Sequence, residues 1–116
     1  FNFMTEPLFD KIIKKDIPAD VIYEDEKSIV IKDINPQAPI HLLIIPKKNI
    51  TMLSSADEED KEILGHLMLV AGKVSKILKL DNTFNIVINN GANAGQTVFH
   101  LHLHLLSGKS LNWLPA

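Results

Sequence analysis

Eight consecutive residues of this chain alternate histidine with leucine, in the order Phe99-His100-Leu101-His102-Leu103-His104-Leu105-Leu106. Successive side chains of a β-strand point to opposite faces, so the pattern predicts a strand with three histidines on one face and leucines on the other. At a rise of about 3.3 Å per residue, the roots of neighbouring histidines are about 6.6 Å apart. The leucine face is expected to meet the core, which leaves the histidine face for chemistry.

Three interpretations of this row of histidines are open. Buried core histidines would need three sets of hydrogen-bond partners on one face. A His-x-His pair on a strand suits zinc, but the outer two histidines lie about 13 Å apart at their roots and the chain has no cysteine to complete such a site. Nucleophilic or acid–base catalysis uses histidine because its proton moves near neutral pH. We favour catalysis, and expect neither a metal nor another cofactor.

The length and charge of the chain narrow its class. We expect one domain over residues 4–116, with the three residues before Met4 left out of the fold argument. A net charge of -2, from 12 basic and 14 acidic side chains, gives no field for duplex nucleic acid or an anionic membrane. The lack of cysteine excludes disulfides and thiol catalysis. Without an apolar run near 18 residues or a signal-peptide pattern, we expect no membrane segment and a cytoplasmic or nuclear location.

The periodicity of apolar residues predicts an α+β fold with a mostly antiparallel five-stranded sheet and two helices. A short helix is expected over residues 6–15, ended by Pro18, and a long one over 56–80, opened by a capping box of Ser55 and Glu58. The predicted strands are 21–25 and 28–33, which form a hairpin, then 41–45, 84–89 and the histidine strand.

The long helix carries more apolar surface than one core stripe needs. The stripe consists of Leu64, Leu67, Met68, Ala71, Val74 and Leu78, and Leu69, Val70 and Ile77 widen it. Gly65 and Gly72 would each cost about 1 kcal/mol relative to alanine. Close approach of a second helix would explain both glycines, so we expect a homodimer; the alternative is a wide helix face in the core of a monomer. His66 is expected at the surface.

A loop of small residues, 90–97, leads into the histidine strand. Glycines allow its backbone to approach a ligand and to aim N–H groups at an anion, and Gln96 and Thr97 add side-chain donors. The alternative is a plain hairpin connection, but its position beside the histidines favours anion binding.

The sequence resembles the histidine triad superfamily, whose signature of His-x-His-x-His and two apolar residues stands here at positions 100–106. Segments 33–41, 45–48, 65–68 and 95–98 are similar to the nucleotide-binding branch of that superfamily, and the resemblance runs from Pro7 to Pro115. It implies a homodimer with the sheet continued across the interface, and a purine nucleoside phosphoramidase activity.

The resemblance also implies a role for each catalytic residue. His102 would attack the α-phosphorus of an adenosine or guanosine phosphoramidate, giving a nucleotidyl-histidine that water cleaves. His104 and His41 would flank and orient the phosphate, and His100 would hold the neighbouring imidazole. Two alternatives stay open, a dinucleoside polyphosphate hydrolase that uses the same nucleophile and a nucleotide-binding scaffold dimer with little catalysis.

Further residues are implied as ligand contacts. Asn89, Gln96 and Thr97 would touch the phosphate or the leaving group, and Asp33 would bind the ribose hydroxyls. The walls of the nucleoside pocket would be Leu8, Phe9, Ile12, Ile31 and Ile34. The family often has phenylalanine where Ile31 stands. Trp113 would contribute to substrate preference from a tail in which Asn112 and Leu114 depart from the usual His-Trp-Pro-Pro.

Overall fold

A computed structural model describes residues 8–110 of the chain, which form two helices and five strands. The helices are α1 (Leu8–Ile13) and α2 (Lys61–Ile77); the strands are β1 (Val21–Glu24), β2 (Ser28–Lys32), β3 (Ile40–Pro46), β4 (Asn85–Val87) and β5 (Leu103–Ser107). Short 3-10 turns occur at Leu53–Ser55, Glu58–Asp60 and Ala92–Ala94. Neither helix in this range is long and apolar enough to cross a membrane.

The five strands form one antiparallel sheet in the order β1-β2-β3-β5-β4. β3 and β5 pair at the centre, with Leu42 opposite Leu105 and Leu43 opposite His104. The predicted α+β architecture with five strands and two helices is confirmed. The expected continuation of the sheet across a dimer stays a prediction.

The two faces of the sheet support separate apolar clusters. Val30, Leu42, Ile44, Leu103 and Leu105 pack beneath α2, against Leu67, Val70, Ala71 and Val74. The opposite face carries Ile29, Ile31, Leu43 and Ile45, covered by Phe9 and Ile12 of α1. Because strand residues alternate, His41 shares the α1 face with Leu43, its neighbour two residues on. The described part of α1, Leu8–Ile13, covers only part of this face, and a pocket lies beside it.

α2 is shorter than predicted at both ends, and α1 ends two residues before its predicted end; residues 6 and 7 of its predicted start lie outside the described residues. The acidic segment before α2 first forms a 3-10 turn, in which Asp57 accepts a hydrogen bond from the Glu59 amide and Asp60 accepts one from the Asp57 amide. This reciprocal pair replaces the predicted capping box of Ser55 and Glu58. α2 ends at Ile77 because Lys79 takes a left-handed conformation, φ 57°. A left-handed Lys15, φ 68°, likewise follows the end of α1.

The outer face of α2 corrects two predictions. Met68, predicted in the core stripe, is 52% exposed, and the neighbouring Leu69 is 76% exposed. A Cβ on Gly65 or Gly72 would meet no atom within 4 Å, so packing within one copy of residues 8–110 does not explain these glycines. His66 is partly buried rather than at the open surface, because its Nε2 bonds to Asp25 Oδ2 at 2.8 Å.

Candidate active site

A cavity of about 330 Å³ lies between α1 and the sheet. Its lining contains all six side chains expected around the nucleoside, namely Leu8, Phe9, Ile12, Ile31, Asp33 and Ile34. His102, His104 and Thr97 line the same cavity, together with Ala19, Lys32, Leu43 and Val98. The structure therefore brings an apolar pocket, one carboxylate and two histidines together.

Only one of the three alternating histidines lies in a regular strand. β5 starts at Leu103, so His104 belongs to it while His100 and His102 lie in the irregular segment before it. The predicted start of the histidine strand at residue 99 is wrong. The alternation of faces nevertheless persists, because Leu101, Leu103 and Leu105 all enter the cluster beneath α2.

The imidazole of His102 is held with a lone pair available. Its Nδ1 lies 2.8 Å from the backbone oxygen of His100. A carbonyl oxygen only accepts, so the ring proton sits on Nδ1 and the Nε2 of the neutral ring carries the lone pair. The rings of Phe9 and His102 pack nearly perpendicular to each other, with centroids 5.0 Å apart. Burial lowers the pKa of His102 and outweighs the hydrogen bond to the His100 carbonyl, which raises it, so the ring is neutral at pH 7.

The Nε2 of His104 carries a proton, whereas the Nε2 of His102 carries a lone pair. Gln37 donates its backbone N–H to His41 Nδ1 at 3.0 Å, which leaves the ring proton of a neutral His41 on Nε2. That Nε2 lies 2.9 Å from His104 Nδ1 and 3.3 Å from Asp33 Oδ2. His104 Nδ1 therefore accepts, and its own proton is on Nε2. Burial, together with the neighbouring His102 and His41, lowers the pKa of His104 to about 4.

His100 is fully buried behind the nucleophile candidate. Its Nε2 donates to the backbone oxygen of Pro46 at 2.7 Å, and its own backbone oxygen orients His102. The Nδ1 makes no hydrogen bond; the Oδ1 of Asp10, on α1, lies 3.4 Å away. Sequence reasoning did not select Asp10. The available signal was an acidic residue next to Phe9 on a helix expected to cover the pocket.

The small-residue loop is braced by a side chain that was expected to bind ligand. Gln96 is 3% exposed; its Oε1 accepts from the Gly91 amide, and its Nε2 donates to the backbone oxygens of Thr51 and Val98. With both amide hydrogens engaged, Gln96 has no free donor, so the expected phosphate contact disagrees with this geometry. Its role here is to shape the loop.

The remaining predicted contacts fall in different places. Thr97 lines the cavity, whereas Asn89 does not and instead donates to the backbone oxygen of Ala94 at 2.9 Å. Trp113, Asn112 and Leu114 lie outside the described residues.

Comparison with known proteins identifies the family. The HIT domain family matches residues 14–111. The chain is 52% identical over 110 residues to the 14 kDa zinc-binding protein of Zea mays, covering 93% of this chain and 86% of that protein. A HIT family hydrolase from Legionella pneumophila superposes with a TM-score of 0.91 at 40% identity, covering 96% of this chain and 100% of that one. The histidine triad nucleotide-binding protein of Candida albicans superposes with a TM-score of 0.81 at 35% identity, covering 96% of this chain and 85% of that one. With a matching domain over most of its length and relatives at this identity, the chain belongs to the HIT family.

Proposed function

We propose that this protein is a purine nucleoside phosphoramidase, which hydrolyses the P–N bond of nucleoside 5′-phosphoramidates. One observation carries the proposal. The cavity is lined by one imidazole with a free Nε2 lone pair, His102, and by a second with an Nε2–H, His104. A nucleophile beside a hydrogen-bond donor is what displacement at a charged phosphorus requires.

The reaction runs in two displacements. The Nε2 of His102 attacks the α-phosphorus, an N–P bond forms, and the bond to the leaving nitrogen breaks as that nitrogen takes a proton from solvent. The Nε2–H of His104 donates to the phosphoryl group, whose charge must be stabilised in both transition states. Water then attacks the phosphorus, an O–P bond forms and the N–P bond breaks with its electron pair returning to Nε2 of His102. The proton that the water loses passes to solvent and balances the one taken up by the leaving nitrogen, and the nucleoside monophosphate is released.

The remainder of the cavity fits the nucleoside part of such a substrate. Its apolar walls come from α1, β2, β3 and the adjoining loops, and Asp33 supplies a carboxylate that can accept from ribose hydroxyls. The names of two structural neighbours support the assignment, since one is called a HIT family hydrolase and the other a histidine triad nucleotide-binding protein.

A single-turnover assay with adenosine 5′-phosphoramidate tests the proposal. The wild-type chain should release AMP in the presence of a chelator, and His102→Ala should bind AMP yet lose at least about 10³-fold in rate, as for other missing nucleophiles. His66→Ala is the matched control, because His66 lies on α2 and does not line this cavity. Unchanged turnover by His102→Ala would contradict the assignment.

Two other functions of the same site are distinguishable in this assay. A dinucleoside polyphosphate hydrolase would use the same histidine, but would release AMP faster from a diadenosine polyphosphate than from the phosphoramidate. A nucleotide-binding scaffold would bind AMP with no release from either compound. The complementary protonation of His102 and His104 favours catalysis over a scaffold.

We also propose that the protein is a homodimer through the outer face of α2. Met68, Leu69 and Ile77 expose apolar side chains there, and the two glycines leave room for a close partner. Exposed apolar side chains grouped on one helix face are typical of an interface. The sheet has two edge strands, β1 and β4, and we propose that β4 pairs with its counterpart in the second copy.

The name of the maize relative, a zinc-binding protein, raises the alternative that this site binds zinc. Ligand atoms of Asp33, His41 and His104 lie within 4.8 Å of one another. The hydrogen bonding does not fit a metal, however, because the Gln37 amide occupies the lone pair of His41 Nδ1 and places the proton on Nε2, the atom that faces the other two. A ligating imidazole nitrogen must carry a lone pair. Elemental analysis of the purified protein should therefore find no stoichiometric zinc.

A further inference from the structure

We propose that the backbone amide of Gln37 fixes the tautomers of His41 and His104, and so is a positioning group for the site. The structural part of this inference stands on hydrogen bonds alone; its catalytic consequence rests on the proposed function. Gln37 lies in the loop between β2 and β3 and does not line the cavity. Its effect passes through His41 to His104.

The first step is the bond from Gln37 to His41. A backbone N–H can only donate, and a neutral imidazole has one N–H and one lone pair. The 3.0 Å bond from the Gln37 amide therefore uses the lone pair of His41 Nδ1. The His41 side chain is buried, at 3% exposure, so water offers little competition for this lone pair.

The second step is the bond from His41 to His104. The Nε2–H of His41 faces His104 Nδ1 at 2.9 Å, and Asp33 Oδ2 is a second acceptor at 3.3 Å. Were the proton of His104 on Nδ1, two N–H groups would meet at this distance. An unsatisfied buried donor disfavours that tautomer about 5- to 150-fold, equivalent to about 1–3 kcal/mol. His104 consequently presents an Nε2–H.

The loop that carries Gln37 is itself held in place. Asp33 Oδ1 accepts from the Asn35 amide at 2.8 Å, and the Asp33 amide donates to the backbone oxygen of His41 at 2.9 Å. At the other end, Pro39 packs on Gly108, where an added Cβ would lie 2.9 Å from Pro39 Cβ. The donor is thus fixed relative to β3 and β5, which carry the two histidines.

Two backbone groups then set the tautomers of His102 and His104. The carbonyl of His100 keeps the lone pair of His102 on Nε2, and the amide of Gln37 keeps the proton of His104 on Nε2. The side chain of Gln37 takes no part in this, as its amide bonds to the backbone oxygen of Asn35. Any residue with a backbone N–H should therefore serve at position 37.

Nitrogen NMR of the histidine rings tests the inference without a mutation. In uniformly ¹⁵N-labelled wild-type protein at pH 7.5, Nδ1 of His41 and of His104 should be unprotonated and Nε2 protonated. His102 should show the reverse and is the internal control. A proton on Nδ1 of His41 or His104 would overturn the proposal.

Two changes at position 37 separate the amide from the side chain. Gln37→Ala keeps the N–H and should leave both tautomers and kcat/KM within about threefold of wild type. Gln37→Pro removes the N–H and should mix the tautomers and lower kcat/KM at least about tenfold; a wrong histidine tautomer in a serine protease costs about 10⁴. Because proline can also displace the loop, an ester in place of the 36–37 peptide bond is the second variant, which removes only the N–H.

The outcomes distinguish the two proposals. Unchanged tautomers in the ester variant would refute the role of the Gln37 amide, whatever the activity. Wild-type tautomers as expected, in a protein that never releases AMP from the phosphoramidate, would leave the amide's role intact and refute the proposed function.

Discussion

The depressed pKa of His104 makes a measurable prediction about stability. Between its ordinary value of 6.5 and the folded value of about 4, the unfolded chain binds a proton that the folded chain does not. Stability must therefore rise with pH across this window and fall as the pH drops through it. At 1.36 kcal/mol per pH unit, the interval corresponds to about 3 kcal/mol, and we expect about 2 kcal/mol because solvent reaches part of the ring.

Urea unfolding of wild type and His104→Asn at pH 7.5 and 4.5 measures this contribution. Asparagine is chosen because its Oδ1 can accept from His41 Nε2, as the histidine Nδ1 does. Wild type should lose about 2 kcal/mol more than the variant on acidification. Carboxylates whose pKa values hydrogen bonds hold low, such as Glu24 through Lys15 and Lys47, lose stabilisation equally in both proteins. Parallel losses would refute the reasoning that burial keeps His104 neutral.

Two further predictions concern the loop and the interface. Gln96→Ala leaves three backbone groups without their partner and should lower the free energy of unfolding by about 2–3 kcal/mol, whereas the exposed Asn93→Ala should change it by less than about 0.5 kcal/mol; chemical denaturation measures both. Leu69→Glu should convert a dimer to a folded monomer in light scattering, while Leu53→Glu, an exposed leucine away from α2, should leave the mass unchanged. A folded Leu69→Glu protein that kept the dimer mass would place the interface elsewhere.

The sheet was predictable from the sequence because its signals are local. The periodicity of apolar residues predicted all five strands and the pairing of the first two in a hairpin. The start of β5 was not predictable in the same way. The residues before Leu103 leave the ladder to bond elsewhere, with His100 reaching the backbone oxygen of Pro46, and such a contact between distant segments leaves no periodic trace.

The site was predictable where the residue types themselves indicate a catalytic role. The histidines carry such a signal, whereas Asp10, Gln96 and the Gln37 amide do not; the pocket walls followed only from the family resemblance. Gln96 is a polar residue in a glycine-containing loop, and the same composition serves a ligand or a loop brace equally well. The prediction that Met68 is buried was wrong for a related reason. The helical period locates the apolar face of α2, but it does not show which residues at the edge of that face the sheet covers.

The leucines between the histidines keep the histidine side chains on the face of the sheet opposite α2. Leu101, Leu103 and Leu105 are each at most 1% exposed beneath α2, and β5 lies with Leu105 opposite Leu42 and His104 opposite Leu43. A slip of one residue would turn the imidazoles into the core and the leucines toward the cavity, at a large cost in buried polar groups. The apolar cluster therefore excludes a slip of one residue, and the observed register sets His104, opposite Leu43, beside His41. Catalytic geometry on one face is in this way enforced by hydrophobic packing on the other.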